Sequence, residues 1–537
     1  MEKLYQLCTQ KIDITSEWPE RSREAFESLF GSPDGRYEKS AKNEIQFRTP
    51  KIDENGVPFS AIIHESNAGS GGYSGMSFVI LPVPESEPMI AMIAGTQGIS
   101  PDEHIIGKPG HSRKMNAITQ WLNAQYRQKT RNDRDSSDDQ KSDNDKVIAW
   151  AKREAVRTDL RVPDNVAKTF SDYKSIFDKY GKEIYGFCIA KEEILEDALK
   201  VFLDFHFEER GYQPLTQAQK DYFKLRNAWF HHLMPTVKSD DLLDLLKHRK
   251  YVILQGPPGT GKTRIANELL HNSYKGNGNP IQFHPNTTYE SFIGGLFPQT
   301  DESAMGMSFK VTKGQLLDVV ERALQQPDKP YLLIIDEINR ADLAKVLGEA
   351  IYGFEPDDEE RSVRLAYDFG GNVGRVLKMP PNLHILGTMN TADRSIAILD
   401  VAIRRRFAFL DMWPQVEVVE QLGTDATKAA YHKLLSIFVE YASEEAFVLM
   451  PGHSYFIVSD DKDAAENDQK TTKKDQTVAK NDQQPAENNQ RLTERDKQAV
   501  TQLKTSLIPL LREYMEQGYV TTFSDAIHAY IQEIESL

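Results

Sequence analysis

Apolar positions recur along this chain with changing periods, and the changes divide it. Three short apolar runs, Phe59–His64, Met76–Val83 and Met89–Ala94, are separated by turn residues such as Gly69–Gly72 and predict strands. Arg113–Tyr126 follows with helical spacing. Residues 1–128 therefore read as an α+β module. Trp150–His232 reads as mostly helical, most clearly in ILEDALKVFLDF, Ile194–Phe205. Near Ser239 the pattern changes again. A short helix, Asp240–Arg249, leads into an apolar strand, Tyr251–Gln255, and strands then alternate with helices through Phe409. Such alternation predicts βαβ units on a parallel sheet. Pro414–Leu537 predicts helices.

The expected fold class is multidomain α/β. A parallel-sheet core with flanking helices spans 239–411 and a helical lid spans 412–537. A helical connecting region, 148–238, and the N-terminal α+β module, 1–128, precede them. Two charged stretches, 129–147 and 460–491, hold almost no large apolar side chains, so they predict an interdomain linker and an unstructured insertion in the lid. No repeat of 20–50 residues is apparent.

Composition refines this picture. A chain of 537 residues predicts three or four domains at roughly 150 residues each. A hydrophobic share of 39% is enough for packed cores, and the net charge of −15 excludes a protein that coats nucleic acid. Any DNA contact must come from a local patch. Cys8 and Cys188 are far apart and form no CxxC pair, which argues against a zinc site or a disulfide framework and fits the cytoplasm. The N-terminus lacks the pattern of a signal peptide. No apolar run is long enough to predict a membrane span.

The chemistry is concentrated in the second half. GPPGTGKT fits GxxxxGK[ST] at Gly256, Pro257, Pro258, Gly259, Thr260, Gly261, Lys262 and Thr263. It lies between a predicted strand and a predicted helix, as a phosphate-binding loop must. Its glycines let backbone N–H groups wrap phosphate oxygens; Lys262 is placed for the β- and γ-phosphates and Thr263 for Mg2+. The strand YLLIID ends in Asp336 and Glu337, the first suited to the metal shell and the second to polarising water. A third strand ends at Asn390, placed to orient water near the γ-phosphate, the sensor role of AAA+ proteins. AIRRRFAF sets Arg404, Arg405 and Arg406 together after a short helix; one of them is expected to reach a neighbouring subunit's nucleotide. That expectation implies a ring.

These motifs carry a resemblance. DEINRADLAKVLGEAIYGFE, NLHILGTMNTADRSIAILDVAIRRRFAF, FHPNTTYESFIGGLFP and PGHSYF together resemble the McrB family, over about residues 240–535. McrB proteins are the AAA+ motor subunits of modification-dependent McrBC-type restriction systems. The resemblance implies that Asn339, in DEIN, helps position the hydrolytic water. It also implies a hexameric ring, a McrC-like nuclease subunit as partner, and GTP as substrate. Nothing in the phosphate loop reads guanine, so ATP stays open. The insertion at 460–491 departs from the family's lid and leaves two readings of His453, nucleotide contact or packing within the lid.

The family's motors carry varied N-terminal modules that recognise DNA. Here Gly107–Thr130 holds Lys108, Arg113, Lys114, Arg127 and Lys129 with no acid, and Trp121 and Tyr126 lie among them. Basic groups can hold phosphates and aromatics can stack on an extruded base. The same residues also fit a solvated helix whose aromatics face a core. A catalytic role for Asp102, Glu103 and His104 is not expected, and Glu65 has no partner set for a nuclease, so cleavage is assigned to another subunit. The competing reading is a MoxR-like or dynein-related ATPase that remodels protein complexes. A third is a binding module whose NTPase acts only as a switch.

Overall fold

The computed structural model describes residues 1–10, 13, 16–31, 33–49, 57–68, 72, 74–96, 102–132, 147–154, 156, 161–300, 307–355, 361–392, 401–457 and 494–537. The insertion expected at 460–491, most of the linker at 129–147, and residues 393–395 of the MNTADRS loop lie outside them. The described residues form two compact units rather than three or four. One comprises Met1–Met234 with Ile437–Glu444, the other Pro235–Ser436 with Glu445–Leu537.

The first unit is built on one antiparallel sheet. Its strands are β1 (Ile45–Arg48), β2 (Ser60–His64), β3 (Ser74–Val83), β4 (Ser86–Thr96), β5 (Ala149–Ala151) and β6 (Ile184–Ile189), in the order β1-β2-β3-β4-β6-β5. This corrects the boundary drawn after residue 128. β5 and β6 come from the region read as helical, yet they extend the same sheet, because β6 pairs with β4 from Met89↔Ile189 to Ile93↔Ile184. The strands read as unbroken apolar runs because both faces are covered. Ala61, Ile63, Val79, Leu81, Met89, Ala91 and Ile93 share one face with Phe170, Ile176 and Phe177. The alternate positions Ile62, Phe78, Ile80, Ile90 and Met92 are also buried, and the helix Leu195–Glu208 packs on β3 and β4.

Charges inside this unit are paired. Arg36 makes a two-point contact with Asp204, at 2.7 and 2.5 Å, and Tyr37 donates to the same carboxylate at 2.6 Å. Asp102 is 2% exposed; it pairs with Arg210 at 2.8 Å and accepts from the Met76 N–H, a structural role.

The second unit is the parallel α/β fold with its lid. In chain order its strands are β7 (Tyr251–Gly256), β8 (Gly278–Gln282), β9 (Gly294–Thr300), β10 (Met307–Lys313), β11 (Tyr331–Asp336), β12 (Ser362–Arg364), β13 (Val376–Lys378), β14 (Leu383–Asn390) and β15 (Ala408–Asp411). Five of them form the central sheet in the order β15-β7-β14-β11-β8, all parallel. Alternation along the strands sends Tyr251, Ile253, Leu333, Ile335 and Ile385 to one face, where the helix Gln315–Gln325 covers them. Val252, Leu254, Leu332, Ile334 and Leu386 go to the other, under the helices Ser239–Arg249 and Lys262–Asn272. The remaining strands form two antiparallel pairs, β9 with β10 and β12 with β13. The C-terminal part is helical, as its pattern predicts, with Leu503, Leu507, Leu511, Tyr514, Ile527 and Tyr530 buried.

Candidate active site

In an open parallel sheet, ligands bind beyond the carboxyl ends of the strands. Here those ends bring the sequence motifs together. β7 lies between β15 and β14, and its last residue, Gly256, stands opposite Asn390 at the end of β14. β14 pairs with β11, which ends at Asp336. Three segments separated by up to 134 residues (Gly256 to Asn390) thus meet at one edge.

The loop from Gly256 to Thr263 turns from β7 into the helix Lys262–Asn272. Gly259 and Gly261 have φ of 81° and 82°, a left-handed conformation that side chains disfavour. Lys262 folds back on the loop, and its Nζ donates to the carbonyls of Gly256 at 2.9 Å and Pro257 at 2.7 Å. Burial pulls the Lys262 ammonium down to about 8, although Glu337 and Asp336 favour its charge.

The metal candidates are adjacent. Thr263 Oγ1 donates to Asp336 Oδ1 at 3.0 Å. These are hard oxygen donors of the kind Mg2+ takes, and they would hold the ion beside the loop. Thr388, which the sequence reading did not single out, also donates to Asp336 Oδ1, at 2.5 Å, and accepts from the Glu337 N–H at 3.1 Å. One hydroxyl therefore fixes both acids. Its sequence signal was a polar side chain near the carboxyl end of the strand Leu383–Asn390.

Glu337 sits at φ 54°, one of four non-glycine residues with positive φ among the described residues. Such a conformation is costly for a β-substituted residue and tends to occur where a side chain must be aimed. Arg340 Nε stands 3.3 Å from Glu337 Oε2, near enough for charge attraction but outside hydrogen-bond geometry, so that buried oxygen makes no hydrogen bond. Asn339 is 4% exposed; its Nδ2 donates to the Asn390 carbonyl at 3.3 Å, and its buried Oδ1 has no hydrogen-bond partner. Asn390 Oδ1 accepts from the Ala392 N–H at 3.3 Å.

The three arginines occupy the last turn of the helix Val401–Arg406 rather than following it. Arg406 is 7% exposed, donates to the Ala402 carbonyl and lies 3.6 Å from Glu355. Arg404 and Arg405 are exposed, with the Arg404 guanidinium 5.4 Å from the Phe409 ring centre.

Of the two readings of the basic helix, the structure favours aromatics packed in a core, with its central cations buried rather than solvated. Arg113, Lys114, Trp121 and Tyr126 are all under 9% exposed. Arg113 donates to the carbonyls of Phe438, Val439 and Ala442 and to Glu444; Lys114 pairs with Glu209 and Glu440. Lys108 lies over the Tyr441 ring at 5.3 Å. These partners occupy the cations, and the aromatics are core residues, which corrects the reading of this set as a DNA contact. The acids that neutralise it are remote in sequence.

Comparison with known proteins agrees with the geometry. Residues 251–407 match the AAA domain of the dynein-related subfamily. The chain is 30% identical to the type IV methyl-directed restriction enzyme EcoKMcrB subunit of Escherichia coli strain K12, over 55% of this chain and 68% of that protein. It is 28% identical to the type II restriction enzyme BsuMI component YdiS of Bacillus subtilis strain 168, over 29% of this chain and 55% of that protein. With a phosphate loop, paired acids and a strand-end asparagine on a parallel sheet, and with this extent of shared sequence, the chain belongs to the McrB family of AAA+ P-loop NTPases.

Proposed function

We propose that this chain is the nucleotide-hydrolysing motor of a restriction system directed against invading DNA. The observation that carries the reading is the convergence of Lys262, Thr263, Asp336, Glu337, Asn339 and Asn390 at one sheet edge. The loop Gly256–Thr263 binds the phosphates of GTP or ATP. Thr263 and Asp336 hold Mg2+, which when bound neutralises phosphate charge. Glu337 polarises the attacking water, and Asn339 and Asn390 hold it in line. Arg404 or Arg405 completes the site of a neighbouring copy in a hexameric ring; the burial of Arg406 argues against the third arginine. The motor acts in the cytoplasm on DNA, with a McrC-like nuclease subunit as the cutting partner. Both relatives are named as components of restriction enzymes, which supports this role. Among the described residues no helix is long and apolar enough to cross a membrane.

Steady-state hydrolysis of GTP and ATP tests the reading, for the wild type, Lys262→Ala and Glu337→Gln. Turnover should fall at least about 100-fold in both variants; unchanged turnover in both would sink it. The match to a dynein-related AAA domain favours a second reading, an ATPase that remodels protein complexes. Stimulation by a co-encoded nuclease subunit and DNA supports the first. Stimulation by a protein substrate alone supports the second.

A further inference from the structure

We propose that His453 is a nucleotide-contacting residue whose Nε2–H donates to a phosphate oxygen of the triphosphate held by the loop Gly256–Thr263. The proposal rests on the nucleotide-binding reading above.

The segment Pro451–Phe456 is remote from the loop in sequence but bonded to it in space. Gly452 N–H donates to the Pro258 carbonyl at 2.9 Å, and Ser454 N–H donates to the Gly259 carbonyl at 3.1 Å. The approach is close enough that a Cβ on Gly452 would come within 2.0 Å of the Gly259 carbonyl carbon. Gln502 Nε2 donates to the Ser454 carbonyl at 3.0 Å and holds the segment from its other side. His453 lies between the two anchoring residues, so its backbone is fixed on both flanks.

The ring's orientation follows from its hydrogen bond to Gln415. His453 Nδ1 accepts from the Gln415 N–H at 3.1 Å. A neutral imidazole that accepts at Nδ1 carries its proton on Nε2. The ring is 5% exposed, and burial, with the charge of Arg264, lowers its pKa to about 4, so it stays neutral. Nε2 lies 3.7 Å from where a Cβ on Gly261 would stand, beside the residue before Lys262. Among the described residues it has no hydrogen-bond partner. A nearly buried N–H donor at the rim of a phosphate loop matches an anionic oxygen, and satisfying it recovers the cost of its desolvation. The contact would also make the lid sense whether phosphate is present, because the same six residues anchor lid to loop.

Two conservative variants separate this role from packing. Asn places a side-chain acceptor near the Nδ1 position, keeps the Gln415 bond and removes the outer donor. Gln places an amide N–H near the Nε2 position and gives up the Gln415 bond. Binding of fluorescent guanosine and adenosine tri-, di- and monophosphates to the full chain should be measured for wild type, His453→Asn and His453→Gln, with apo melting temperatures. We expect His453→Asn to weaken triphosphate binding about tenfold, the scale of a hydrogen bond to a charged group. Its monophosphate affinity and apo melting temperature should stay near wild type. His453→Gln should bind triphosphate within about threefold of wild type, even if it melts lower. Wild-type affinity in His453→Asn overturns the proposal, as does an equal loss in both variants that follows their melting temperatures. Failure of the wild type to bind any of these nucleotides overturns the nucleotide reading as well, and is recognisable as such.

Discussion

Asn339 donates through Nδ2 to the backbone carbonyl of Asn390 at 3.3 Å, which ties the segment after β11 to the end of β14. The bond uses only one end of the amide. Oδ1 of Asn339 is buried and without a hydrogen-bond partner, and an unpaired buried acceptor has a cost that a held water would remove. The two asparagines differ in how they are held: Asn339 donates through its side chain and keeps a buried acceptor open, whereas Asn390 gives its carbonyl to Asn339 and its Oδ1 to the Ala392 N–H. Asn339→Ala is expected to lower kcat by about 10- to 100-fold, with a much smaller change in KM. Asn339→Asp keeps the buried acceptor but loses the donor to the Asn390 carbonyl, so it should recover at most part of that loss. Equal kcat in Asn339→Ala and wild type, by steady-state hydrolysis, would remove Asn339 from the water-positioning set.

Lys262 should make nucleotide binding depend on pH. In the loop its ammonium is lowered to about 8 by burial. A triphosphate beside it favours the charged form and raises that pKa. Binding above about pH 8 therefore takes up a proton, and affinity is lost as pH rises. The fall should approach about tenfold per pH unit, the limit for one proton, and this group should add no dependence below about pH 7. Lys262→Arg stays charged throughout and should flatten the alkaline limb. Calorimetric titration in two buffers of different ionisation enthalpy reads the proton uptake directly. An alkaline limb that persists in Lys262→Arg would assign the effect elsewhere.

Much of the second unit was legible because its information is local. The alternation in YVILQ, YLLIID and LHILGTMN fixes which residues face which core, and each strand ends on its own chemistry, Gly256, Asp336 and Asn390. The first unit was harder to read because its sheet is completed from far along the chain. β5 is three residues long, and β6 is separated from its partner β4 by 87 residues (Thr96 to Ile184). The basic face of the helix Pro109–Asn132 stayed ambiguous for a related reason. Its neutralising carboxylates, Glu209, Glu440 and Glu444, lie 95 to 331 residues away, so no local window shows that Arg113 and Lys114 are already paired. Thr388 escaped notice because a polar residue near a strand end is a weak signal until its hydroxyl is seen between the Asp336 carboxylate and the Glu337 N–H.

Glu209 joins two buried basic groups inside the first unit. Its side chain is 4% exposed, lies against Lys114, and bonds His111 Nδ1 at 2.7 Å. Tyr185 hydroxyl and His111 Nε2 are in turn 2.9 Å apart. Burial alone would raise the Glu209 pKa, but the Lys114 charge and the His111 hydrogen bond outweigh it and hold the group at about 2. Because the folded value lies below the unfolded one, its contribution to stability is complete above about pH 4.5 and is lost as pH falls toward 2. Glu209→Gln leaves the Lys114 ammonium with Glu440 alone and should destabilise the unit by about 3 kcal/mol. Scanning calorimetry of the full chain should show the corresponding transition moving down while nucleotide hydrolysis below that temperature persists. An unshifted transition would mean that the cluster is already compensated elsewhere.

The three arginines should separate by phenotype, because the helix Val401–Arg406 gives them different surroundings. Arg406 is buried, bonded to Ala402 and close to Glu355, so Arg406→Ala opens a hole beside an acid and should lower the melting temperature with any loss of turnover following from that. Arg404 and Arg405 are exposed, so their removal should leave the fold intact. If one of them stabilises transition-state charge on a neighbour's nucleotide, its Ala variant should lose about 10³-fold in kcat while still binding nucleotide. Mixing identifies it. A subunit that lacks the arginine but has intact acids should regain turnover when combined with Glu337→Gln subunits that supply the arginine, since each defect lies on a different side of the shared site. Recovery with Arg404→Ala but not Arg405→Ala, or the reverse, names the residue. If neither variant is rescued and both retain wild-type turnover alone, each site is complete within its own subunit.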